Sequence, residues 1–404
     1  MKKILLGTSA LIGAGLIASG ALADDPKVTI GGFSTFEAAF TKSDVDQGEQ
    51  DRSFRNDNEI HFNISGKSDM GLGYGAEIDL QADIDGAGNS VPGSSNSGQT
   101  NSGIVAHRTY GWLQGDNWGH LEFGSNDGAA RTLKVDASNI AQASGGIDGD
   151  WKYFADVNTI GGGSNGTFSG KGAGNFITAP LLPVENGPAN GFSSDIWGND
   201  NKITYYTPRF AGFQAGVSYA PNLYDRGQLT DRTESLPTGT ATDIVEGGVN
   251  YENQFDQIGL AAALTGETGT VSNDATAGGG HLNNLKAWNG GAKVSFQGFS
   301  LAGSYGDWKD SLDVDGTKAW YATAGVAYET GPIGASVTYL YSQDQPIGGD
   351  NKFYDISAGV DYKLAPGLTP FAEYTWYDLA PSNTGGVAVE NRGGVALLGT
   401  QLSF

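Results

Sequence analysis

The chain has no cysteine, only 13 prolines in 404 residues, and 23 basic side chains against 45 acidic ones. Without cysteine there is no disulfide framework, so a chain of this size must be held by hydrogen bonding and burial alone. The formal net charge of −22 argues against nucleic acid as a partner. Long apolar runs are also missing, since nothing after Ala23 approaches a transmembrane helix.

The one apolar stretch, residues 4–17, follows Lys2 and Lys3 and leads to Ala21, Leu22 and Ala23. It is too short to span a bilayer, and with its basic start and A-x-A end it reads as a cleaved signal peptide over residues 1–23. The remaining 24–404 read as a single domain beginning at Asp24.

What the chain does have is glycine, 64 residues of it, 11% aromatics, and a period of two. Ile60, Phe62 and Ile64 alternate with Glu59, His61, Asn63 and Ser65. After a short connection at residues 67–71, Leu72, Tyr74, Ala76, Ile78 and Leu80 alternate with Gly73, Gly75, Glu77, Asp79 and Gln81. Alternation of this kind is a strand with two different faces, and two such strands around a tight turn make an antiparallel hairpin. The pattern recurs in Phe213 to Tyr219, Ile258 to Leu264, Trp288 to Phe296, Trp320 to Tyr328, Ile333 to Tyr341 and Tyr354 to Tyr362. Segments of about 9–11 residues suffice for a tilted strand to cross a bilayer.

Strand starts fall near Val28, Glu59, Leu72, Val105, His120, Lys202, Phe213, Val245, Gln257, Trp288, Phe299, Trp320, Ile333, Tyr354, Leu368 and Gly394. That makes an all-β, sixteen-stranded antiparallel transmembrane β-barrel. Connectors alternate between tight (Gln297 with Gly298, Thr330 with Gly331, residues 365–368) and long and polar (residues 44–54, 85–103, 221–243, 266–285), as expected for a barrel with one short-turn rim and one long-loop rim. Around Arg108 both faces could point outward, and Thr109, Gly111 and Leu113 are preferred over Tyr110 and Trp112. Phe40, Tyr219, Tyr305, Tyr328, Tyr341, Trp376 and Tyr377 suit interfacial aromatic girdles. A secreted soluble β-sandwich with a glycan-binding site is the alternative from a different class.

The alternation stops between Ser125 and Asn201, after the fifth strand, and a loop that long inside an ordered domain is functional or disordered. This placement comes together with the opening Val28-Thr29-Ile30-Gly31-Gly32, the strand Glu59-Ile60-His61-Phe62, and Gly119-His120-Leu121-Glu122-Phe123-Gly124 leading into Asp127-Gly128-Ala129. The chain closes on Gly399-Thr400-Gln401-Leu402-Ser403-Phe404. On these features it resembles the trimeric general-diffusion porins of Gram-negative bacteria, closest to the alphaproteobacterial type. Leu397 departs from the usual terminal pattern, where a polar residue is common.

The resemblance implies an outer-membrane location, a homotrimer joined near its two termini through residues such as Phe36, Phe62 and Ile64, and contact with outer-membrane lipid and lipopolysaccharide. It implies that Phe404 is an assembly signal read by the barrel-insertion machinery. It also implies that the third long loop, within residues 125–201, folds into the barrel and narrows it, although part of so long a loop can lie outside as a lid. Strand parity places Glu59 and His61 in the lumen with Glu77, Asp79 and Asp83, joined by Arg55 if the second strand extends that far and by Arg108 under the preferred register of the fourth. The facing loop acids are then Asp127, Asp136 and Asp148. A barrel of this size is too wide for its side chains to fill, so the expectation is a water-filled channel for passive diffusion of small hydrophilic solutes and ions. The net negative charge makes it mildly cation-preferring, and a substrate-specific porin differs only at the constriction.

The chain has no H-E-x-x-H and no P-loop, and the four histidines His61, His107, His120 and His281 have no metal-ligand spacing. Gly161, Gly163 and Gly166 match G-x-G-x-x-G without the flanking strand and helix, so they read as flexible loop. No cofactor and no enzyme activity are indicated. Asp44 with Asp46, Asp83 with Asp85, and Asp313 with Asp315 form a composition that Ca²⁺ accepts, but none completes a binding loop, and solvated acidic loops are the preferred reading.

Overall fold

The computed structural model describes residues 24–44, 51–82, 104–155, 176–186, 199–223, 239–272, 281–346, 349–381 and 390–404. The expected signal peptide, the glycines at 161–166, and Asp46, Asp83 and Asp85 lie outside these residues. Among the described residues no helix is long and apolar enough to cross a membrane, so crossing is left to strands.

There are sixteen: β1 (Asp24–Ser43), β2 (Arg52–Lys67), β3 (Gly73–Gln81), β4 (Val105–Gly115), β5 (Gly119–Ser125), β6 (Asn201–Tyr206), β7 (Phe213–Asn222) and β8 (Ala241–Phe255). Then come β9 (Ile258–Val271), β10 (Leu285–Phe296), β11 (Phe299–Lys309), β12 (Lys318–Thr330), β13 (Ile333–Gln345), β14 (Asn351–Tyr362), β15 (Leu368–Ala380) and β16 (Asn391–Ser403). Each pairs antiparallel with its sequence neighbours and β1 closes on β16, so the sheet has no free edge. The closing seam runs from Phe33 opposite Ser403 to Ser43 opposite Gly393, and Gly32 and Phe404 exchange two backbone hydrogen bonds of 3.1 Å.

The tight turns follow from backbone chemistry. Gln297 and Gly298 both have positive φ, 49° and 87°, the type I′ geometry that matches strand twist. Gly331, at φ 56°, precedes Pro332 in the turn between β12 and β13. On the opposite rim the strands run further than the apolar alternation does. β2 begins at Arg52 rather than Glu59, β8 at Ala241 rather than Val245, and β9 continues to Val271, into a stretch that reads as loop by composition. Beyond the apolar belt both faces of a hairpin meet water, so polarity no longer marks the strand.

The polarity of the barrel is inverted relative to a soluble sandwich. Leu264 and Leu301 are 61% and 57% exposed on the outer face, while Thr338 and Thr375 are fully buried on the inner one. A contiguous apolar exterior has no place in water and fits the hydrocarbon of a bilayer. Along β10 to β13 the outward aromatics touch in sequence: Trp288 to Tyr305 at 5.7 Å, Tyr305 to Trp320 at 5.6 Å, and Trp320 to Tyr341 at 5.3 Å. Near the short turns Phe213 with Tyr251 and Phe299 with Tyr328 mark a second belt. Tyr377 is not in either girdle. It follows the outward Trp376, so parity turns it inward, where it is buried against the internal loop.

Candidate channel constriction

After β5 the chain turns into the lumen and travels along the inner wall. Its backbone amides and carbonyls, which no strand partner satisfies, are met by wall side chains. Ala129 N donates to Ser218 Oγ on β7 at 2.8 Å, and Ala137 N donates to Thr323 Oγ1 on β12 at 3.3 Å. Gln142 N donates to Ser336 Oγ at 2.8 Å and Ile147 N to Thr338 Oγ1 at 3.1 Å, both on β13; Gly146 N reaches Glu373 Oε2 on β15 at 3.1 Å. Between these points the wall is kept low. A Cβ on Gly291 of β10 would lie 1.8 Å from the carbonyl oxygen of Val135, so only glycine admits the loop there. The returning limb is held likewise: Trp308 Nε1 donates to Leu181 O at 3.0 Å, and Val184 N to Glu267 Oε1 at 3.0 Å.

Trp151 anchors the far end. It is fully buried between Tyr377 (5.6 Å, 21° between planes) and Phe353 (6.2 Å, 10°), and its Nε1 donates to Gly146 O at 3.1 Å. This docking delivers Asp150 and Tyr153 to the β2 wall, where Asp150 lies 3.3 Å from Arg55 and the Arg55 guanidinium stacks 3.8 Å above the Tyr153 ring. Residues 129–151 thus reach from β7 round to β2. Whether another part of the loop lies outside the barrel falls on residues 156–175 and 187–198, outside those described.

On the wall, Arg55 also contacts Glu37 of β1 (3.3 Å) and Asp57 (2.9 Å). On β3 and β4, Arg108 Nε lies 2.9 Å from Asp79 Oδ2, and Tyr110 donates to Glu77 at 3.0 Å, so Arg108, Tyr110 and Trp112 face inward and Thr109, Gly111 and Leu113 outward. The register slips between Asp79 and Leu80, which pair with Arg108 and Ala106. This bulge leaves His107 as the extra residue and turns it to the lumen beside Arg108; its Nδ1 is 2.9 Å from Glu59 Oε1.

Of the three loop acids expected to face this wall, Asp127 meets Arg108 at 3.4 Å and Arg131 at 3.7 Å. Burial pushes its carboxyl up, but Arg131, Arg108 and Lys202 outweigh that and hold it below the ordinary carboxylate range. Asp148 pairs with Lys152 at 2.5 Å; there too burial is outweighed, by Lys152 and Lys134, and the carboxyl is held low. Asp136 is a different case. Fully buried, it caps the short helix Ala137–Ile140 in a capping box, accepting from Ser138 N at 2.8 Å, and pairs with Lys134 at 2.7 Å, so it shapes the loop and does not face the arginines of the wall.

Sequence reasoning missed the cations on the loop. Arg131 and Lys152 sit at i,i+4 from Asp127 and Asp148, a spacing the sequence displays. Glu185, buried beside Arg131 at 3.0 Å, is pushed up to about 7 by burial, and Asp200 next to Lys202 to about 6 for the same reason. The loop is therefore of mixed charge, not an acidic face opposed to a basic wall. Of the calcium candidates, Asp315 accepts from Asn283, in the segment before β10, at 2.9 Å, and Asp313 accepts from Val314 N within its own turn at 2.7 Å, while Asp44 follows the end of β1.

A family model described as Gram-negative porin matches residues 7–380. An uncharacterized protein of Rickettsia bellii is 27% identical over 342 residues, 71% of this chain and 74% of its own. An outer membrane porin protein of Bordetella pertussis is 23% identical over 445 residues, 97% of this chain and 100% of its own. Among solved structures, the anion-selective porin from Comamonas acidovorans matches with a TM-score of 0.61 at 18% identity, covering 94% of this chain and 100% of that one, a likeness of fold. With the family match spanning nearly the whole chain and the barrel closed on sixteen strands around an internal loop, this chain belongs to the Gram-negative porin family and is an outer-membrane channel protein.

Proposed function

We propose that the channel passes small hydrophilic solutes and ions by passive diffusion and favours cations mildly. The observation that carries the proposal is the charge on the wall opposite the docked loop. Glu37, Asp57, Glu59, Glu77 and Asp79 stand there around Arg55 and Arg108, and on the loop Asp127, Asp136, Asp148, Asp150 and Glu185 outnumber Arg131, Lys134 and Lys152, so carboxylates are in excess on both sides. In a narrow, low-dielectric passage the uncompensated carboxylates raise the local cation concentration. The anion-selective protein from Comamonas shares the fold at too low an identity to carry its sign across.

A homotrimer is part of this proposal, supported by the outward Phe36 and Phe54, exposed and stacked at 5.7 Å beside the closing seam. Recognition of Phe404 by the insertion machinery, and contact with lipopolysaccharide at the loop rim, complete it. Liposome swelling with sugars of graded size tests the solute range: uptake falling smoothly with size supports general diffusion, and uptake of one solute out of order with its size supports a specific site.

A further inference from the structure

Glu59 and His61 are two apart on the lumen face of β2, and Asp79 on β3 is the register partner of His61. One ligand-type atom from each lies within 4.8 Å of the other two. The outer contacts divide each carboxylate between two tasks. His107 holds Glu59 through Oε1 and Arg108 holds Asp79 through Oδ2, each at 2.9 Å, leaving one oxygen of each acid toward His61. Asp79 is fully buried, and its Oδ1 has no hydrogen-bond partner; neither has His61 Nε2, which lies 3.5 Å from Glu59 Oε2. Phe33 packs edge-on against the His61 ring at 6.3 Å and fixes its plane.

Desolvated acceptors left without donors around a common point are what a cation satisfies. One imidazole nitrogen with two carboxylate oxygens is a borderline donor set, suited to divalent first-row transition ions; Ca²⁺ and Mg²⁺ take oxygen alone. Ligands on one such ion stand about 2.0–2.2 Å from it, so a small rotation of the half-buried His61 brings the three together. We propose that Glu59, His61 and Asp79 bind a divalent transition-metal ion on the lumen wall, with His107 and Arg108 as the outer partners that orient the two carboxylates. The bulge in β4 is what allows two consecutive residues to do this from one face. An ion held here adds positive charge next to the Arg108–Asp127 contact and lowers cation current, a consequence that rests on the channel reading; the binding itself does not.

The test uses untagged protein folded in detergent and stripped by chelator, titrated with zinc chloride by calorimetry in the presence of millimolar calcium and magnesium, and with cobalt(II) by visible absorption. The site requires zinc binding near one equivalent per chain that calcium does not displace. It also requires His61→Gln to weaken binding by more than the about 10–100-fold that loss of an outer partner costs, with His107→Gln inside that range. Asp79→Asn strands Arg108 and can misfold, so His61→Gln, checked for folding by heat-modifiable gel migration, decides. Absent zinc heat in folded wild type, unchanged affinity in His61→Gln, or displacement by calcium overturns the site. Protein that binds zinc in this pattern yet carries no current upholds the site and contradicts the channel reading.

Discussion

Arg55 on the second strand lies 3.3 Å from Asp150 of the internal loop, a contact between groups 95 positions apart that joins the end of the docked segment to the wall it faces. Both side chains are half-buried, so the pair is screened less by salt than a surface pair. Arg55→Gln is expected to shift the reversal potential toward cations, and Asp150→Asn toward anions. A double-mutant cycle on thermal unfolding should give a coupling of about 0.5–3 kcal/mol, as for residues in one network. Additive effects on both readouts would place Asp150 away from Arg55.

Trp151 holds that segment in place through Tyr377 and Phe353. Truncation to alanine removes a fully buried indole, a loss of about 3–5 kcal/mol in a packed site. Because the barrel ladder does not depend on it, the loss should release the loop without unfolding the barrel. The expected signs are larger single-channel conductance, a wider solute limit in liposome swelling, and new protease cleavage within residues 126–155. Unchanged conductance with a cleaved loop would mean that the loop does not set the channel width.

Gly291 makes the same point from the wall side. Gly291→Val places a side chain where the Val135 carbonyl now lies, so the loop must lift off β10. Noisier and larger current steps than wild type are expected, whereas the same change at Gly331, in a turn with open space around it, should leave the channel width as it is.

The pH dependence follows from Glu185, whose carboxyl burial pushes up to about 7. A carboxyl raised on folding favours the protonated form, so its contribution to stability is fully present below the ordinary carboxylate range and is lost as pH rises through about 7. In the channel the same titration changes charge. As pH falls from 8 to 6, Glu185 gains a proton while Asp127 and Asp148, held low, stay ionised, and Arg131 loses the charge of its partner. Cation preference should therefore weaken over that interval, and Glu185→Gln should shrink the step to the part that Asp200, pushed up to about 6, contributes at its lower end. A profile in Glu185→Gln that keeps the wild-type step would assign the titration to another group.

Strand by strand, the barrel was legible because lipid and water meet opposite faces of each strand, and the parity read from Trp288, Val326 or Ile356 is the parity observed. Three features were not. The hairpin extensions at Arg52 and Ala241 lie where both faces are wet, so they carry no polarity signal. His107 follows a bulge, and strict alternation would have put it in lipid once Arg108 was put inside. The three residues Glu59, His61 and Asp79 have no common spacing in the chain; only the β2–β3 register brings them together. Within the loop, wall hydroxyls on distant strands meet loop backbone amides, and a backbone amide has no signature in sequence. The resemblance sets Asp127, Asp136 and Asp148 alike against the wall, whereas Asp127 meets Arg108 and Asp136 is a helix cap.

The most direct measurement is the reversal potential of the wild-type protein in a planar bilayer under a potassium chloride gradient, made near 0.1 M and again near 1 M. Stepwise currents that reverse on the potassium side at low salt, and approach neutrality as the Debye length falls from about 10 Å to about 3 Å, are the expected result. Chloride-side reversal at both concentrations would contradict the charge placed on the wall, and the absence of any current from folded protein would contradict the channel itself.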